Sequence, residues 1–149
     1  MSAYVTEALR LLKTRGYRIT VPRRRILDLL DTTEAALNPY EIKAHLEAVG
    51  EPADISSIYR VLECLETNGL VHRILANGKF HKCHLDQETN CHRDQLDHCH
   101  HNLVCRGCGA VEEVHCPGLS AIARDLSEHS RFRIEAHQLE FQGLCARCA

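Results

Sequence analysis

No apolar run in this chain approaches the roughly 20 residues that a bilayer-spanning helix needs, which excludes a helical membrane protein. The opening stretch MSAYVTEALRLLKTRG holds neither a continuous apolar segment nor a small-residue cleavage site, so it is expected to be mature structure rather than a secretion signal, in a cytoplasmic protein. Net charge is also scarce, at -2, and taken alone this argues against a polyanionic partner. Two further absences are local. Between Ala8 and Leu27 there is no acidic residue, only Arg10, Lys13, Arg15, Arg18, Arg23, Arg24 and Arg25, and before Cys64 there is no cysteine. The chain thus divides into a cysteine-poor part with a basic stripe and a part rich in cysteine and histidine.

The 149 residues suffice for one ordinary domain or two small ones, and small domains are often stabilised by a metal, a disulfide or a partner. A hydrophobic fraction of 44% and a charged fraction of 26% are those of a folded globular chain. Nine cysteines with eleven histidines point to metal rather than disulfides, because a reducing compartment keeps thiols available as ligands and the count is odd.

In the first part, Gly16 closes one helix, and Thr20 with Pro22 opens the next, which runs through Ile26, Leu27 and Leu30. Asn38, Pro39 and Glu41 form a capping-box start before an apolar stripe of Ile42, Leu46 and Val49. A third start at Asp54 to Ser57 leads into Ile58, Val61, Leu62 and Leu65, with Gly69 as the stop. Strand-like runs Leu70–Leu75 and Lys79–Cys83 then flank the hairpin signal Asn77-Gly78. Helices followed by a hairpin describe a winged helix-turn-helix. The polar face of its third helix carries Ser56, Ser57, Tyr59 and Arg60 near the end that enters a DNA groove; arginine can pair with a guanine edge, and tyrosine can contact a thymine methyl or a phosphate. Arg15 and Arg23 of the basic stripe are expected to add DNA contacts. The bland alternative is a solvated charged face.

In the second part, Cys105-Arg106-Gly107-Cys108 and Cys145-Ala146-Arg147-Cys148 are two Cys-x-x-Cys turns separated by a strand, helix and strand pattern. Two such knuckles supply a closed, all-thiolate zinc site that contributes folding energy and leaves no position for substrate. Gly109 and Gly143 are expected to relax the two turns. A second cluster, His72, Cys83, Cys91, His92, His98, Cys99, His100, His101 and Glu113, is where a sensor site joining two domains is expected. Strand parity separates His98 and His100 from His101. A thiolate in a mixed N/S/O set favours zinc over iron or manganese.

The segments LKTRGYRITVPRRRIL, SSIYRVLECLETNGLVHRI, NLVCRGCGAVEE and FQGLCARC together resemble the ferric uptake regulator family, most closely its zinc uptake regulator (Zur) branch. The resemblance implies an α+β chain: a winged-helix DNA-binding domain at 1–84, a polar connecting segment at 85–97, and a zinc-stapled α/β dimerisation domain at 98–149. It implies a homodimer on a palindromic operator, with at least two zinc ions per chain. Cys105, Cys108, Cys145 and Cys148 would hold the structural ion, and His72, Cys83, Glu113 and His98 the regulatory one, with His100 as the alternative fourth ligand. Tyr59 and Arg60 match the DNA-contacting pair. Asn102 stands where a ligating histidine often occurs in the family, and Ser120 stands where a further metal site would need an acidic residue. His137 matches one ligand of that further site or is an ordinary strand histidine.

The function so implied is a repressor of zinc-uptake genes, with a sibling sensor of iron, manganese or peroxide as the near alternative. A zinc hydrolase is a distant one, and the deaminase pattern of His-x-Glu with Pro-Cys-x-x-Cys is absent. No turnover is expected. Cys64 is expected near the core of the third helix, and Cys91 and Cys116 have no role assigned.

Overall fold

Helices start where a capping side chain precedes an apolar stripe. In the computed structural model, which describes residues 1–83, 100–115, 118–135 and 138–149, Ser2 caps α1 (Ala3–Thr14) by accepting the Val5 N–H at 3.1 Å. Thr20 caps α2 (Val21–Thr32), with Pro22 in its first turn. Asn38 and Glu41 close a reciprocal capping box on α3 (Pro39–Ala48) at 2.8 and 2.7 Å. Asp54 precedes α4 (Ile55–Thr67), where its carboxylate takes the Ser56 and Ser57 hydroxyls instead of capping the helix.

Two compact units result, Met1–Leu85 and Asp86–Ala149. In the first, the four stripes meet in one core: Val5, Ala8 and Leu12 from α1, Ile26, Leu27 and Leu30 from α2, Ile42 and Leu46 from α3, and Ile58, Val61, Leu62 and Leu65 from α4. Cys64 packs against it, half-buried, as the sequence suggested. Val49 does not join its stripe. It is the C-cap of α3 and 69% exposed, because the chain leaves helical geometry there and turns through Gly50 at φ +75°.

The wing is a two-stranded antiparallel ribbon, β1 (Val71–Arg73) and β2 (Phe80–Lys82), shorter than the expected runs. Single hydrogen bonds continue it at each end, Cys83 N–H to the Leu70 carbonyl at 3.0 Å and Ile74 N–H to that of Lys79 at 2.7 Å. Gly78, at φ +68°, makes the turn that the Asn-Gly pair signals. Val71 and Phe80 face the helical core, and Lys82 reaches the Asp31 carboxylate at 2.8 Å and its carbonyl at 3.0 Å.

In the second unit β3 (His100–Cys105) is the central strand, antiparallel to β4 (Val111–His115) and parallel to β5 (Glu140–Gly143), with α5 (Gly118–Ser130) between β4 and β5 in the chain. The parallel pairing has a direct consequence. Cys105 lies beside Gly143 in register, so β3 and β5 leave the sheet at the same end and each runs into its Cys-x-x-Cys turn. No described helix is long and apolar enough to cross a membrane.

Candidate functional site

At the shared end of β3 and β5, the ligand atoms of Cys105, Cys108, Cys145 and Cys148 lie within 4.8 Å of one another. A regular tetrahedron with Zn–S bonds of about 2.3 Å has S···S edges of about 3.8 Å, and the Cys108 and Cys145 sulfurs are 3.7 Å apart. Four sulfurs gathered within that span are the number that a tetrahedral ion takes, and an ion held by all four would have no coordination position open. The turns themselves are built by Gly109 N–H to the Cys105 carbonyl at 3.0 Å and by Cys148 N–H to that of Cys145 at 2.9 Å. Gly109 adopts φ +75°, as expected, whereas Gly143 keeps an ordinary strand conformation. The glycine that reading by motif passed over is Gly107. A Cβ there would lie 3.0 Å from both Cβ and Sγ of Cys148, a constraint that only the folded pairing of the two turns creates.

The thiols are electrostatically unlike. Backbone N–H groups of Gly107 and Cys145 each donate to Cys105 Sγ at 3.3 Å. The Cys145 N–H is the leading cause that lowers the Cys105 thiol to about 6. Burial pushes Cys145 up, but hydrogen bonds led by the Arg147 N–H leave it below its ordinary value. Cys148 is pushed up to about 12 by hydrogen bonding with Cys145, then Cys105 and Cys108. Four sulfurs this close cannot all ionise alone, so the cluster retains a proton until a cation replaces it.

The second donor set begins on the wing. His72 on β1 and Cys83 just after β2 bring their ligand atoms within 4.8 Å of each other. Cys83 is only 1% exposed. His81, buried and opposite His72 in register, occupies the same ribbon face as Cys83 two residues on, and the motif reading did not single it out. In the other unit, Glu113 on β4 faces Asn102 on β3 in register. Asn102 is 3% exposed, and its Oδ1 has no hydrogen-bond partner among the described residues. His100 opens β3 opposite His115. His98 and His137, like Cys91, Cys99 and Cys116, lie outside the described residues.

Five residues carried the DNA expectation, and they fall into two groups. Tyr59 and Arg60 project from α4 into solvent, Tyr59 at 50% exposure, with Ser57 half-buried at the helix start. The hydroxyls of Ser56 and Ser57 both donate to Asp54, an arrangement that lowers its carboxyl to about 2 and keeps the helix start anionic. The two arginines of the basic stripe are engaged within the protein. Arg23 donates to the Arg18 carbonyl and stacks 5.7 Å over the Tyr17 ring. Arg15 donates to Asn68, to its carbonyl at 3.1 Å and its Oδ1 at 2.9 Å.

Comparison with known proteins agrees with this architecture. The profile described as the ferric uptake regulator family matches residues 14–142. The zinc uptake regulation protein of Escherichia coli (strain K12) is 28% identical over 145 residues, covering 97% of this chain and 80% of its own length. The ferric uptake regulation protein of Neisseria meningitidis (serogroup A) is 33% identical over 138 residues, covering 92% and 90% respectively. A solved zinc uptake regulator complexed with zinc and DNA aligns with a TM-score of 0.83 at 26% identity, over 99% of this chain and 95% of that one.

Proposed function

The chain belongs to the ferric uptake regulator family of transcriptional regulators, and from that premise we propose that it is a zinc-responsive repressor acting in the cytoplasm. As a homodimer, it binds palindromic operator DNA when zinc-loaded and silences zinc-uptake genes. The observation that carries the reading is the presence of two separate donor sets of different character. One is the four-sulfur cluster of Cys105, Cys108, Cys145 and Cys148. The other holds the soft thiolate of Cys83 with the imidazole of His72, on the wing of the unit that also carries α4.

A closed tetrahedron suits a structural ion. A mixed set suits a sensor, which His72 and Cys83 form with Glu113 and a fourth ligand, His98 or His100. Thiolate and imidazole select zinc over the harder divalent ions. Signalling then follows from linkage: zinc that binds the DNA-competent dimer better than the incompetent one raises operator affinity by the same factor, and about 3 kcal/mol of coupling gives roughly a hundredfold switch. Tyr59, Arg60 and Ser57 read the operator from α4, with Arg60 on a base edge or phosphate.

The test is binding of the purified protein to duplex DNA across buffered free zinc, with bound zinc counted in parallel. Zinc-dependent binding with more than one zinc per chain, lost in Cys83→Ser while one zinc and the fold remain, supports the reading. Zinc-independent binding with a single zinc per chain refutes the sensor. The meningococcal iron regulator is the more identical of the two relatives, so Fe(II) and Mn(II) are run alongside, and a response to either at lower free concentration than zinc reassigns the metal.

A further inference from the structure

We propose that Arg15, exposed at the end of α1, is a positioning residue for the recognition helix, acting through Asn68 rather than on DNA. The inference rests on the DNA-binding reading above. Asn68 is the C-cap of α4, 4% exposed, and its own N–H and Nδ2 both donate to the Cys64 carbonyl, at 3.2 and 2.7 Å. That leaves the Asn68 carbonyl and Oδ1 as acceptors at the negative end of the helix, where a cation is favoured. Arg15, 53 residues earlier and itself the C-cap of α1, supplies a single nitrogen, Nη1, to both. A second bond from the same helix lies close by: the Tyr4 hydroxyl donates to the Leu70 carbonyl at 2.6 Å, just past the end of α4. Tyr4 and Arg15 are three helical turns apart, and so share one face of α1.

Helix α1 therefore braces the far end of α4 by two long-range bonds. The reading residues sit at the opposite end. From Ile55 to Thr67 the helix rises about 18 Å at about 1.5 Å per residue. Over that arm a swing of about 5° at the braced end displaces the reading end by about 1.6 Å, more than the tolerance of a hydrogen bond to a base edge. Arg15 is thereby linked to sequence discrimination without touching a nucleotide.

Salt dependence separates this role from a phosphate contact. A duplex is first selected by the wild-type, zinc-loaded protein from a randomised pool, and affinity for it and for a scrambled duplex is measured against salt for wild type and Arg15→Ala. The brace predicts that the selected-to-scrambled ratio falls by about tenfold, the scale of one lost base contact, while the slope of log K against log salt is unchanged. A slope shallower by about one, with the same fractional loss on both duplexes, would mark a phosphate contact and overturn the proposal. Unchanged affinity and ratio would overturn it too. If Arg15→Ala does not fold, as read by circular dichroism, Arg15→Met keeps the aliphatic stem without any donor and is judged by the same two arms. Failure of the wild type to select any duplex refutes the DNA reading itself.

Discussion

Gly107→Ala is the sharpest probe of the sulfur cluster, because it adds one methyl group and changes nothing else. Gly107 has no positive φ, so alanine brings no backbone strain there; the added carbon meets Cβ and Sγ of Cys148 at 3.0 Å and the Leu144 side chain at 3.4 Å. Carbon contacts settle at about 3.5–4.0 Å, so Cys148 must retreat by about half an ångström. Metal sites hold their distances within about 0.2 Å, which makes that retreat too large for an unperturbed tetrahedron. Overpacking of this kind costs about 1–3 kcal/mol, or roughly a 5- to 150-fold loss of zinc affinity. Competition against a chromophoric chelator measures the loss, and the Co(II)-substituted protein should show altered d–d and sulfur charge-transfer bands. Wild-type affinity with an unchanged cobalt spectrum would refute the steric argument and the placement of Cys148 with it.

Two other outcomes follow from groups already described. Cys148 holds its proton at neutral pH, being pushed up to about 12, whereas Cys105, lowered to about 6, is largely ionised; zinc loading of the apoprotein at pH 7 in weak buffer should therefore release at least one proton per cluster. The sign sets the pH dependence: zinc affinity already falls with pH at neutrality, because Cys148 must give up its proton, and the fall steepens as pH drops through about 6, where protons also reclaim Cys105. Titration with a pH indicator checks both, and zinc uptake without proton release contradicts them. For Asn102→Leu, removal of a buried oxygen that has no partner among the described residues should stabilise the zinc-loaded protein, by about 1 kcal/mol. Thermal unfolding reads the change, and a lowered midpoint would show that Oδ1 has a role in the native protein.

What was legible in the sequence is what local chemistry decides. The caps at Thr20 and Asn38, the inward stripe of α4 and the turn at Gly78 each depend on residues within a few positions, and each is found where the pattern predicts. The Cys-x-x-Cys spacing likewise announces its own turns. Long-range geometry was less legible. Nothing near Gly107 says that Cys148 will lie against it, and nothing near Arg15 says that this cation will be drawn to Asn68. His81 was within reach, since alternation alone puts it on the face of Cys83, but a His-x-Cys pair is too short a motif to attract notice.

The parallel pairing of β3 with β5 bears on how the second unit folds. Parallel neighbours cannot be joined by a tight hairpin, so β5 docks only after a long crossover has been laid down, a slow and entropically unfavourable closure. Cys108 and Cys145 are 37 residues apart in the chain, and a cross-link spanning that distance restricts the unfolded chain by about 4 kcal/mol in the loop-entropy model. A metal held by both turns serves as that cross-link at the point where the two strands diverge. It ties the last strand to the first as a disulfide would in an oxidising compartment, yet it can be made and released by the free concentration of an ion.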